Sequence, residues 1–117
     1  MTAQIFTGRC QCGKVRFEAE TEINDVIACN CSRCARLGSL LSAVPAEKFK
    51  LTAGSDALTE FTFNKHAIHH FFCATCGIQP FAKGKLNGVD MLMINVRCVD
   101  GVDATKLPVT MFDGASL

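Results

Sequence analysis

A chain of 117 residues, 49% of them apolar, can bury one modest core, so a single domain over residues 1–117 is expected. Lys and Arg number 12 against 11 Asp and Glu, with no block of one sign and no Trp or Tyr, which argues against a nucleic-acid-binding surface. No apolar run reaches the roughly 18 residues that a membrane helix needs, and no apolar stretch follows a basic start, so a cytoplasmic chain with reduced thiols is expected.

In chain order, Lys14 to Glu20 alternates, placing Val15, Phe17 and Ala19 on one face of a half-buried strand. Asp25 to Cys29 reads as a second strand, which delivers the run Cys29-Asn30-Cys31-Ser32-Arg33-Cys34. Ser32 is expected to cap a short helix that ends near Leu37, before Gly38. Leu40 to Val44 forms an apolar strand ended by Pro45, Ala46 to Phe49 a helical turn, and Thr52 to Ser55 a bend. Leu58 to Phe63 alternates and is expected to form a hairpin with Ile68 to Cys73 through Asn64-Lys65-His66-Ala67. The longest strand is expected over Asp90 to Val99, with Leu92, Ile94, Val96 and Cys98 on one face, which assigns Cys98 to the core. Val109 to Phe112 adds a last strand before a turn at Asp113-Gly114. The fold class is mainly β and mostly antiparallel, with one short helix and metal staples at its turns.

Seven of the 8 cysteines fall in short-range clusters, the spacing at which neighbouring thiolates converge on one ion. Cys12 and Cys76 are each followed by glycine, Gly13 and Gly77, which lets the backbone turn through positive φ and aim its amides at sulfur. Cys10, Cys12, Cys73 and Cys76 are therefore assigned to a closed, four-thiolate structural zinc. The glycine-less triplet Cys29, Cys31 and Cys34 has no fourth cysteine beside it. Three readings stay open for it: a zinc with an exchangeable position, a second structural site completed by a remote residue such as His66, His69 or His70, and a metal-free thiol cluster. Arg33 and Arg36 flank it and would offset its negative charge or stand as a solvated helix face. A soft, thiolate-rich zinc with an open position suits a thiol ligand.

Four stretches carry a family resemblance: Gly8-Arg9-Cys10-Gln11-Cys12-Gly13, Cys29-Asn30-Cys31-Ser32-Arg33-Cys34, Phe72-Cys73-Ala74-Thr75-Cys76-Gly77 and Asn95-Val96-Arg97-Cys98. In this order the chain resembles the glutathione-dependent formaldehyde-activating enzyme family, which includes centromere protein V. The resemblance implies a β-tent fold of small twisted antiparallel sheets, a structural zinc on Cys10, Cys12, Cys73 and Cys76, and a labile zinc on Cys29, Cys31 and Cys34. The activity it implies is a carbon–sulfur lyase reaction, condensation of glutathione with formaldehyde to S-(hydroxymethyl)glutathione. Arg33, His69 and Lys65 are the candidates for holding substrate carboxylates or polarising the carbonyl. Readings of another class are a non-catalytic zinc module that recognises a partner and a thiol or metal sensor.

Overall fold

The structure is a computed structural model and describes residues 3–117. Its elements are β1 (Gln4–Arg9), β2 (Arg16–Thr21), β3 (Val26–Cys29), α1 (Ser32–Leu37), β4 (Leu41–Pro45), β5 (Phe49–Ala53), β6 (Leu58–Phe61), β7 (His69–Cys73), β8 (Phe81–Leu86), β9 (Val89–Asn95) and β10 (Val109–Phe112), with short 3-10 turns between several of them. Two sheets result, a three-stranded one in the order β1-β2-β5 and a seven-stranded one in the order β10-β3-β4-β9-β8-β7-β6. Pairing is antiparallel except between β10 and β3. The chain alternates between sheets, since β5 returns to the small sheet after β3 and β4 have entered the large one.

The core follows from the alternation. In and just before β2, Val15, Phe17 and Ala19 are buried while Arg16 and Glu20 face water. Leu92 and Ile94 of β9, and Val96 beyond it, are buried as the same periodicity requires. The sheets meet over four phenylalanines. Phe17 and Phe49 of the small sheet stack at 5.5 Å, Phe49 lies 4.9 Å from Phe81 of the large sheet, and Phe71 lies 5.3 Å from Phe81. Such aromatic pairs add on the order of 1 kcal/mol each to the stabilisation from area alone.

Several boundaries differ from the sequence reading, each for a physical reason. Strands β1, β5 and β8 were not expected: β1 and β5 are mostly outward-facing, and β8 carries Gly84 and two lysines, residues with little strand preference. β8 is a strand because β7 and β9 pair with it on both sides. The expected long strand ends at Asn95, whose side chain accepts a hydrogen bond from the Arg97 N–H at 3.2 Å and opens a 3-10 turn over Val96–Cys98. Cys98 therefore leaves the alternating row and packs, partly buried, against the core. The residue that caps α1 is Cys31 rather than Ser32, because the Cys31 sulfur takes the Cys34 N–H at 3.3 Å. The expected β6–β7 hairpin forms with strands shorter at the turn than Leu58–Phe63 and Ile68–Cys73, paired from Leu58↔Cys73 to Phe61↔His70. No helix among the described residues is long and apolar enough to cross a membrane.

The aromatic junction yields a direct test. Phe17 is 1% exposed whereas Ile5 is 67% exposed. Phe17→Ala is expected to cost about 3–5 kcal/mol in denaturant unfolding, and Ile5→Ala less than about 0.5 kcal/mol. Similar losses in the two would show that the phenylalanine cluster does not hold the sheets together.

Candidate metal centres

Two hairpin-like knuckles build the first site. After β1, the Cys10 N–H donates to the Val15 carbonyl at 3.0 Å and the Gly13 N–H to the Cys10 carbonyl at 3.2 Å. After β7 the same device recurs, with the Cys73 N–H donating to Ile78 at 2.9 Å and the Gly77 N–H to Cys73 at 2.8 Å. Gly13 and Gly77 sit at φ 81° and 79°, a conformation that a side chain would strain. The knuckles face each other across the two sheets and bring the sulfurs of Cys10, Cys12, Cys73 and Cys76 within 4.8 Å of one another. Cys12 Sγ is 3.6 Å from Cys10 Sγ and 3.7 Å from Cys73 Sγ.

Backbone amides favour the thiolate here. The Cys76 N–H leads in lowering the Cys73 thiol, against its burial. Burial opposes ionisation of Cys76, yet the N–H groups of Ile78 and Cys12 hold it down at about 6. Cys12 is pushed up to about 11: the Lys14 N–H favours its thiolate, but burial and the neighbouring sulfurs of Cys10, Cys73 and Cys76 outweigh it. Four sulfurs this close cannot all ionise unless a cation lies between them, and the set suits a soft divalent metal ion.

The second site lies where β3 enters α1. Cys29, Cys31 and Cys34 also bring their sulfurs within 4.8 Å of one another, and among the described residues no fourth Cys, His, Asp or Glu joins them. The Cys31 N–H points at Cys29 Sγ at 3.5 Å and the Cys34 N–H at Cys31 Sγ at 3.3 Å. Burial, then the sulfurs of Cys31 and Cys29, pushes the Cys34 thiol up to about 12. The turn after β10 closes over one side of this triplet. Asn30 donates to Asp113 Oδ1 at 3.0 Å and accepts from the Ala115 N–H at 2.9 Å, while a Cβ on Gly114 would lie 2.5 Å from Cys29 Sγ. Nothing in the sequence placed the Asp113-Gly114 turn beside Asn30 and Cys29, because the parallel pairing of β10 with β3 joins stretches more than 80 residues apart.

The remaining candidates separate. Arg33 lies on α1 with its guanidinium 4.9 Å from the Phe61 ring centroid and 5.7 Å from that of Phe72, and its Nε donates to Gln79 Oε1 at 2.9 Å. With Ser32, Arg36, Leu37, Phe61 and Phe63 it lines a concavity of about 450 Å³. His69 bonds Glu60 Oε2 at 3.0 Å and lines a different concavity, with Lys83, Lys85 and Asp90. Lys65 stands exposed in the turn between β6 and β7 and lines neither. His66 bonds Thr62 at 2.7 Å, and His70, which points the opposite way from His69 along β7, is buried against Gln79 at 3.2 Å. None of the three histidines reaches the triplet.

Residues 5–113 match the family model described as glutathione-dependent formaldehyde-activating enzyme. A Talaromyces marneffei protein, provisionally named a glutathione-dependent formaldehyde-activating enzyme, is 32% identical over 78 residues. That match covers 63% of this chain and 41% of the relative, so the chain spans less than half the relative's length. The crystal structure of a Rhodobacter sphaeroides protein superposes with a TM-score of 0.78 at 29% identity, covering 89% of this chain and 99% of that one. The mainly β fold, the two cysteine groups and the match across residues 5–113 agree, and the chain belongs to the glutathione-dependent formaldehyde-activating enzyme family.

Proposed function

We propose that the protein is a zinc-dependent enzyme of carbon–sulfur bond chemistry that binds glutathione through its sulfur and condenses it with formaldehyde to S-(hydroxymethyl)glutathione, or runs the reverse. The observation that carries this reading is the inequality of the two cysteine groups, four converging sulfurs in one and three without a fourth ligand in the other. Four ligands close a tetrahedral shell and suit a structural ion, whereas three leave a position for an exchangeable ligand. When bound at Cys29, Cys31 and Cys34, zinc supplies the Lewis acidity that stabilises the anion of a thiol whose free pKa is about 8.5.

The chain's own residues orient the reactants. The amides of Cys31 and Cys34 aim at sulfur and fix the triplet, Asn30 ties the Asp113–Ala115 turn beside it, and Arg33 stands on the same helix as the candidate for substrate carboxylates. In the reaction the thiol sulfur forms one bond to the carbonyl carbon while the carbonyl oxygen takes up the proton. Nothing is oxidised or reduced, so no further co-reactant is needed. Holding thiol and aldehyde together would reduce the entropic cost of a bimolecular encounter.

Metal counting during a chelator titration is expected to show one zinc per chain released easily with the fold intact, and a second released only with unfolding. A single release step for both ions would contradict the two-class assignment. Cys76→Ser is expected to lose the tightly held ion and most of the folded population, whereas Cys98→Ser costs only on the order of 1–2 kcal/mol by thermal melting. Loss of a metal ion from Cys98→Ser would give that residue a ligand role.

Cys31→Ser is expected to melt as a folded protein, to bind the second zinc weakly or not at all, and to lose glutathione binding by calorimetry. Unchanged glutathione affinity would place any thiol site elsewhere. Folding and metal binding without any heat on glutathione addition in the wild type would favour a non-catalytic zinc module.

A further inference from the structure

The segment that lies against the triplet is held there by hydrogen bonds and by almost no buried surface. Among the described residues β10 stands at an edge of the large sheet and pairs with β3 alone, over four residues. All of its residues are exposed, Met111 at 73% and Val109 and Phe112 at 51% and 49%, and its side chains lie outside the core cluster. Past β10 the chain turns over Gly114–Ser116 and is caught chiefly by Asn30. The Asn30 N–H donates to the Phe112 carbonyl at 3.1 Å, its Nδ2 donates to Asp113 Oδ1 at 3.0 Å, and its Oδ1 accepts from the Ala115 N–H at 2.9 Å. Ser116 Oγ donates to Asp113 Oδ2, so both oxygens of that carboxylate are engaged. Two exposed contacts add to this catch, Thr110 Oγ1 with Asp25 Oδ2 and Asn64 Nδ2 with the Leu117 carbonyl, each at 3.2 Å. A segment that buries few apolar groups opens at a lower free energy than the fold as a whole.

This strap touches the cysteines themselves. A Cβ on Gly114 would lie 2.5 Å from Cys29 Sγ and 3.4 Å from Cys31 Cβ. Gly114 does not adopt positive φ, so its backbone would accept a side chain and packing alone excludes one. Cys34 is buried, whereas Cys29 and Cys31 are each half-buried. Traffic to and from the triplet therefore passes on the side of Cys29 and Cys31, and Gly114 stands against both of them. The least firmly held strand of the large sheet thus covers the approach to the cysteine group that lacks a fourth ligand.

We propose that β10 and the turn after it form a gate over the triplet, which detaches locally to let the metal ion and its exchangeable ligand in and out. Asn30 and Asp113 are its catch, and Gly114 is its contact with the cysteines. The proposal rests on the reading of Cys29, Cys31 and Cys34 as an exchangeable zinc site and adds to it what controls the exchange. Opening breaks hydrogen bonds between exposed groups and leaves the core and the four-cysteine group in place, because no residue of the strap belongs to either. Weakening the catch of a gate raises the rates of entry and exit by the same factor, since both pass through the open form, and leaves the affinity where it was. Weakening a group that holds the ion lowers the affinity instead.

The test uses the full chain loaded with zinc at both cysteine groups. Transfer of the easily lost ion to a coloured chelator, followed by stopped flow, is expected to run about tenfold faster in Asp113→Ala, which removes the catch without altering a cysteine or its neighbours. Uptake of zinc by protein stripped of that ion alone is expected to quicken by the same factor, with the melting curve unmoved. Gly114→Ala, whose new methyl group pushes the turn off Cys29, is expected to release the ion faster as well. By hydrogen exchange the Ala115 amide is expected to be far less protected than that of Ile94 in wild type, and less still in Asp113→Ala. Wild-type release in either variant would overturn the gate and leave the metal site standing. Faster release with unchanged uptake in Asp113→Ala would make the strap a support for the ion and overturn the gate. Equal protection of the Ala115 and Ile94 amides would show that the strap opens only with the whole fold, and would overturn it too. A wild type that takes up one zinc only would overturn the triplet as a metal site and the gate with it.

Discussion

The interaction on which the rest of this structure depends is the convergence of Cys10, Cys12, Cys73 and Cys76 where the two sheets meet. Cys10 follows the last residue of β1 in the small sheet, and Cys73 is the last residue of β7 in the large one, so drawing these sulfurs together fixes where each sheet ends against the other. A cross-link between positions this far apart removes more freedom from the unfolded chain than a local one does. As thiolates, four sulfurs within 4.8 Å would repel unless a cation lay between them. On the proposed reading, metal binding and sheet docking would be one event, and the contact of Lys14 Nζ with Thr75 Oγ1 at 3.2 Å joins the same two knuckles.

The phenylalanine cluster does the complementary task away from the metal. Phe17, Phe49, Phe71 and Phe81 supply apolar area where a chain of this length has little to spare, and they come from both sheets. The polar row of Arg33, Gln79 and His70 reaches from β7 to the surface of α1. One side of β7 therefore contributes Phe71 to the core while the other places His70 under the concavity, a direct result of the two-residue period of a strand.

The triplet is placed quite differently. It sits at the end of a short strand and the start of a helix of 6 residues, with the turn after β10 tied beside it by Asn30. Its metal would hold together only residues already close in sequence, so its loss need not disturb the sheets. That independence is what allows a site to exchange ligands without unfolding the protein that carries it.

Both cysteine groups were legible in the residues alone, because sulfur spacing and the glycines after Cys12 and Cys76 are local properties: a knuckle needs positive φ at a set place, and chain geometry leaves few alternatives. The alternating strands at Phe17 and Ile94 were legible for the same reason, since a period of two needs no knowledge of the partner strand. The rest depended on what lies opposite. β8 is a strand through its two neighbours and not its composition, and Cys98 left the core row because Asn95 captured an amide two residues on. Nothing near Arg33 announces Gln79, which is 46 residues distant, nor does anything near Cys29 announce Gly114. Hydrogen bonds and close packing between remote segments are set by how the sheets dock, and one-dimensional spacing carries no record of that. The sequence by itself determined which residues could hold metal, and only the tertiary structure decided which side chains surround them.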